Sequence, residues 1–206
     1  FWFYGATFLT QVPEFSKVIL LGDESVVIFL LTLFSVGVSI GSVLCKTLTR
    51  NKVSLRLLPF GIAGLSIFAI DLYFSLSGLD INVNNDTLLG IGDLFNISGS
   101  WRVFADLFLL GFSGGLYIVP LYASMQAYAP KSHRARIVGA NNIFNAIFMV
   151  TSAIFAIVIL NVLGFTLPQL FLVTGLLNIV FGAFLYIKLN KHIKHAVIQT
   201  NDGIAP

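Results

Sequence analysis

Charge is what this 206-residue chain has least of: 12 Lys and Arg and 9 Asp and Glu make up 10% of it, against 57% hydrophobic residues. So few charges cannot clothe a water-soluble surface around a core of that size, and a mean hydropathy of +0.92 points away from the soluble classes. The single cysteine, Cys45, excludes an internal disulfide, and beside Lys46 it reads as a reduced, packed thiol. His192 and His195 have no Cys or acid at ligand spacing, so that run reads as solvated tail and no metal is expected. No Gly-rich phosphate loop, nucleophile elbow or nucleophile–base pair is present, so neither catalytic residues nor a cofactor are expected. The formal charge of +3 and pI near 9.1 come without a reading motif or interleaved aromatics, which argues against a nucleic-acid partner.

What the chain does have is long apolar runs. Six segments, roughly 1–21, 25–45, 55–77, 102–128, 135–161 and 167–189, each come near the ~20 residues of a spanning helix. Apolar positions run on without alternating, so no strand competes. The expected fold class is an all-α membrane protein: one bundle of six transmembrane helices over 1–189, then a polar cytoplasmic tail or linker over 190–206.

The basic residues sit at alternate ends of these runs. Lys46, Arg50, Lys52 and Arg56 follow the second run, Lys131, Arg134 and Arg136 the fourth, and Lys188, Lys191 and Lys194 the sixth. The other connections hold Lys17 and Arg102 with most of the acids: Glu14, Asp23, Glu24, Asp80, Asp86 and Asp93. Positive-inside bias places the first set in the cytoplasm. Within the first run only Phe1 to Val12 precede Pro13. The expected reading is a helix that breaks there and lacks a turn or more upstream, which would make the chain a fragment. The alternative is a Pro-kinked span to Leu21 carrying Glu14 and Lys17.

Ser77 to Ser100 reads as an irregular outer loop ending at an interfacial Trp101, and Asn85-Asp86-Thr87 and Asn96-Ile97-Ser98 match the glycosylation pattern. Ser35, Gly37, Ser39 and Gly41 would let another helix approach closely. Gly111, Gly114, Gly115 and Pro120 mark the fourth span as a place to bend.

Polar groups at membrane depth are functional hypotheses by default. Asp71 and Asp106 fall in the outer third of consecutive helices, and Arg102 lies one turn from Asp106. These three form either an outer-side ion pair locking two helices or a cation or proton site. Asn141, Asn142 and Asn145 are costly facing lipid and should face the bundle, as helix-to-helix contacts or as the lining of a polar route. Gln11, Tyr4 and Thr7 in the first span, and Tyr117, Tyr122 and Gln126 in the fourth, are similar candidates; Asn178 reads as a packing contact. Arg134 and Arg136 sit at a helix N-terminus, where the macrodipole disfavours cations. With Lys46 and Arg50 they serve topology, an inner gate or anionic headgroups.

Three stretches together resemble one family. They are Gly41-Ser-Val-Leu-Cys45-Lys46 leading to Leu58-Pro59-Phe60-Gly61 and Ile70-Asp71-Leu72-Tyr73; Trp101-Arg102-Val103 through Asp106 to Tyr117 and Tyr122; and Ser132-His133-Arg134-Ala135-Arg136 to Asn145-Ala146. They are similar to the major facilitator lysophospholipid transporters, in the form often fused ahead of a glycerophospholipid acyltransferase in Gram-negative bacteria. The opening Phe1-Trp2-Phe3 with Gly5 to Gln11 resembles that family's seventh helix. The resemblance implies the C-terminal six-helix half of a twelve-helix transporter in the inner membrane. Its implied partners are membrane lipid, a lysophospholipid substrate, an N-terminal six-helix bundle of the same protein and a fused acyltransferase. In the superfamily's Gly-x-x-x-Asp-Arg loop signature, Gly41, Lys46 and Arg50 fit, but Cys45 stands in the acid's place.

Overall fold

Every apolar run folds as helix. The computed structural model describes residues 1–50, 53–79, 81 and 88–201, with side chains through Lys188. Lys52, Asp80, Asp86, the Asn85 triplet and the side chains of Lys191, His192, Lys194 and His195 lie outside the described residues. The elements are α1 (Trp2–Glu14), α2 (Glu24–Leu48), α3 (Leu58–Ser77), α4 (Ile91–Asn96), α5 (Ser100–Tyr128), α6 (Arg134–Ile157) and α7 (Leu167–Asn201). α1 runs on into a π-helical turn over Phe15–Ile19, and α6 into another over Val158–Val162. Helix accounts for 83% of the chain and no strand forms among the described residues, so the class is all-α. Five helices are long and apolar enough to cross a bilayer: Glu24–Leu48, Leu58–Ser77, Ser100–Tyr128, Arg134–Val162 and Leu167–Lys188. They support an integral membrane protein.

Two expected boundaries move. The first helix does not break at Pro13; it continues to Ile19. Pro13 removes one N–H from the ladder, but the Phe15 amide still reaches the Gln11 and Val12 carbonyls, and the π-turn that follows carries the helix on to Ile19. The turn ends where Leu21 adopts φ +50°. At the other end, α7 continues through Asn201 where the sequence reads as a linker from 190. No Gly or Pro falls between 190 and 201 to stop it.

α2 starts sharply because Asp23 caps it. Its Oδ1 accepts from the Ser25 amide at 2.8 Å, the Val26 amide at 3.2 Å and the Ser25 hydroxyl at 2.5 Å. The Ser25 hydroxyl first, then these amides, hold the Asp23 carboxyl below its usual range.

α5 is the axis of the bundle. α2 lies parallel to it through four glycines that interlock with the opposite backbone. A Cβ at Gly37 would stand 2.2 Å from the Phe108 carbonyl oxygen, and one at Gly111 2.2 Å from that of Phe34. Gly41 and Gly115 repeat the arrangement one turn on, at 2.1 Å from Phe112 and 2.5 Å from Val38. Gly111 and Gly115 therefore serve close packing, and α5 is one helix through Pro120. Ser35 and Ser39 lie on the exposed side of α2, away from that contact. α3 packs antiparallel on the other side of α5, and α7 antiparallel on α3, where Asn178 donates to the Ile62 carbonyl (3.1 Å) and Ser66 Oγ (2.9 Å).

α1 lies across this row α2–α5–α3–α7. Phe8 stacks on Phe171 of α7 at 4.6 Å, Tyr4 donates to the Leu65 carbonyl of α3, and Phe1 stacks on Tyr117 of α5 at 5.8 Å. Thr7 is buried, its hydroxyl donating to Phe3 O at 2.8 Å. α6 leans on α1, with Phe3 and Phe155 5.2 Å apart, and leaves most of its surface open. The long connection is partly ordered. Leu89 exchanges backbone bonds with Leu21 (2.8 Å) and Asp23 (2.9 Å), and α4 buries Leu94 in the core.

Candidate functional site

The polar side chains gather at three places. The first lies near the acidic end of α3 and α5. Arg102 reaches across to Asp71 with one edge of its guanidinium, Nε to Oδ2 at 3.2 Å and Nη2 to Oδ1. The pair is half open, 46% and 34% exposed, and so contributes little to stability. Asp106, one turn along α5, is 3% exposed and accepts from Ser75 Oγ at 2.6 Å. The Ser75 hydroxyl also lies 3.0 Å from the Asp71 carbonyl, but it carries one proton, and the shorter contact to the carboxyl takes it. Arg102 thus pairs across helices with Asp71, not along its own helix with Asp106.

The second place is a seam joining α1, α5 and α6 in their basic-end halves. Trp2 Nε1 points at the Tyr122 hydroxyl (3.1 Å), and Asn141 Nδ2 approaches the same oxygen (3.3 Å). Asn145 sits among these donors. With its amide oxygen turned inward it accepts from Tyr122 OH (2.8 Å), Trp2 Nε1 (3.0 Å) and Asn141 Nδ2 (3.0 Å), while its nitrogen donates to the Asn141 carbonyl (3.2 Å). In this orientation the one indole proton goes to the nearer acceptor, Asn145, while Tyr122 donates to Asn145 and accepts from the second Asn141 N–H. Beside the cluster lies a cavity of about 210 Å³, walled by Phe1, Tyr117, Met125 and Phe148. Asn142 is exposed: one residue is 100° of turn, so three neighbouring amides cannot all face one seam.

The third place is a larger cleft of about 670 Å³ at the acidic end of the same α1–α6 seam. It opens where both helices widen into π-turns, features that recur at functional sites. Gln11 lines it, as do Glu14 and Asn161.

The remaining candidates are not brought together. Lys46, Arg50, Arg134 and Arg136 are exposed, and among the described residues none of them makes an ion pair; the pair there is Arg102–Asp71. Gln126 is exposed at the end of α5. Ser75 and Trp2 carry more than their sequence context suggested. Ser75 was not singled out in the sequence, although it stands one turn beyond Asp71, a spacing that offers a signal; Trp2 offered no comparable local one. No protein-family profile, curated protein or solved structure matches the chain.

Proposed function

We propose that the chain acts in membrane transport, as the C-terminal six-helix half of a major-facilitator-type transporter in a bacterial cytoplasmic membrane. On this reading it moves a lysophospholipid of the lysophosphatidylethanolamine type to the inner leaflet by alternating access, with Trp2–Ile19 as the sixth crossing. One observation carries the reading. A hydrogen-bonded cluster of Trp2, Tyr122, Asn141 and Asn145 lies between α1, α5 and α6 with a cavity beside it, and a second cleft opens at the other end of the α1–α6 contact. An amphiphile needs both kinds of surface: polar groups for its head and hydrocarbon beside them for its chain. The stacked rings of Phe1 and Tyr117 supply the latter at the basic end.

Asp106 and the Arg102–Asp71 pair are the proposed coupling groups. An N-terminal six-helix bundle and a fused acyltransferase are the proposed partners, resting on the resemblance alone. Proteoliposomes made from the complete reading frame should carry labelled lysophosphatidylethanolamine inward, and Tyr122→Phe should slow it. Failure with this lipid together with export of a soluble solute would favour the second reading, a drug or metabolite exporter. The volume of the larger cleft suits that reading too. A membrane anchor for a fused enzyme would instead leave activity unchanged when Asn141, Asn145 or Asp106 is altered conservatively.

A further inference from the structure

The larger cleft has a chemistry of its own. Its 670 Å³ falls within the roughly 300–1,000 Å³ of sites that hold drug-sized ligands. Much of its wall is hydrocarbon, from Val18, Leu160 and Leu167, and five polar side chains interrupt it: Gln11, Glu14, Asn161 and the two threonines Thr10 and Thr166, of which Thr10 donates to the Ala6 carbonyl of its own helix. Glu14, itself exposed, is the one charge in the lining; Lys17, three residues on and also exposed, is not among the lining residues. Glu14 has no ion-pair partner among the described residues, and the Gln11 and Asn161 amides have no hydrogen-bond partner among them.

A lone carboxylate against an apolar wall repels anions and attracts a cation that carries hydrocarbon. The two amide oxygens add acceptors beside the carboxylate for the N–H donors of a primary ammonium. We propose that this cleft binds a primary ammonium group borne on an alkyl or acyl chain, with Glu14 as counter-ion and Gln11 and Asn161 as flanking acceptors. Assigning that ammonium to a lysophospholipid headgroup rests on the translocation reading; the site itself does not.

The test is equilibrium binding to the purified chain in a neutral maltoside detergent. The probes are dodecylammonium, dodecyltrimethylammonium, dodecanol and lysophosphatidylethanolamine. Dodecylammonium should bind more tightly than the trimethyl and neutral probes. Glu14→Gln should weaken it about fivefold, as removal of one open ion pair does, with Glu14→Asp retaining part of the affinity. Val18→Trp, which fills the cleft, should weaken dodecylammonium as well. Equal affinity for dodecylammonium and dodecanol, or no change in Glu14→Gln, overturns the site, as does absence of binding. Glu14-dependent binding of lysophosphatidylethanolamine makes the headgroup amine the source; binding of dodecylammonium alone makes it a site for lipophilic amines. Binding without lipid transfer in proteoliposomes retires the transport reading and leaves the site standing.

Discussion

Gly41 of α2 lies so close to Phe112 of α5 that a β-carbon at position 41 would stand 2.1 Å from the Phe112 carbonyl oxygen. The obstructing atom is backbone, which cannot turn aside as a side-chain tip can. Without a strong hydrophobic drive between helices in lipid, close backbone approach is a main source of association. Gly41→Ala should therefore destabilise the bundle by about 2 kcal/mol or more, at the upper end of overpacking costs. Gly139, in α6, has nothing within 4 Å of its would-be Cβ, and Gly139→Ala should gain about 0.5–1 kcal/mol. Unfolding curves in detergent compare the two. Equal, small effects would mean that the α2–α5 contact is looser than its geometry.

Ser75→Ala tests the buried acid. Asp106 would then keep its burial and lose the hydroxyl that donates to it, an orphaning that costs about 1–3 kcal/mol. Asp106→Asn keeps an acceptor for Ser75 and should cost less than Ser75→Ala. Asp71→Asn, at a half-open pair, should shift the unfolding midpoint least of the three. The same ordering read from midpoints decides it; an effect of Asp71→Asn exceeding that of Ser75→Ala would contradict the burial pattern.

The contrast between these sites shows what a sequence reveals. Long apolar runs and the alternation of Lys and Arg made the helices legible, because both follow from the bilayer as solvent. Asp71, Arg102 and Asp106 stood out because charge at depth is costly. Who pairs with whom was not legible: Arg102 is closer in sequence to Asp106, but the crossing of α3 and α5 sets Asp71 within its reach. Pro13 misled because a helix runs through a proline where the neighbouring amides keep their acceptors, as Phe15 does with Gln11 and Val12. The small residues of α2 illustrate a third limit. Gly37 and Gly41 meet α5 while Ser35 and Ser39 turn outward, a choice that depends on which face the neighbour occupies.

Tyr122 is the hub of the seam, and Tyr122→Phe removes the hydroxyl while keeping the ring. On the transport reading the rate of lysophosphatidylethanolamine entry should fall at least about fivefold, the loss of ~1 kcal/mol of coupling, with folding retained. Asn145→Ala should do the same or worse. Asn142→Ala, on the exposed face of α6, should leave the rate unchanged. Parallel losses in all three would point to a global defect instead of a site.

Asp23→Ala should lower the melting temperature at neutral pH, because α2 loses its cap. The pH dependence has a definite sign. Hydrogen bonds from Ser25 and Val26 depress the carboxyl in the folded protein, so its contribution is complete above the unfolded value, about 3.9. That contribution disappears as pH falls through the lower folded value. The gap between native protein and variant should be constant from pH 6 to 8 and close below pH 4. A gap that widened on acidification would mean Asp23 is not the ionised cap.

Topology gives the broadest test. Cys45 is 1% exposed, so the native chain supplies a silent background for a membrane-impermeant thiol reagent. Arg50→Cys, in the turn following α2, and Arg134→Cys, at the first residue of α6, are at exposed positions, and both should react from the cytoplasmic face in oriented vesicles. Phe95→Cys, on the exposed side of α4, should react from the opposite face. Val18→Cys should share the accessibility of Phe95→Cys, because α1 runs parallel to α6 and its π-turn belongs to the cleft end of the bundle. Agreement of position 18 with position 95 would make the first helix a full crossing. Agreement with position 50 would make it a re-entrant or interfacial segment, and Arg50 and Arg134 labelling from opposite faces would break the parity of the whole bundle.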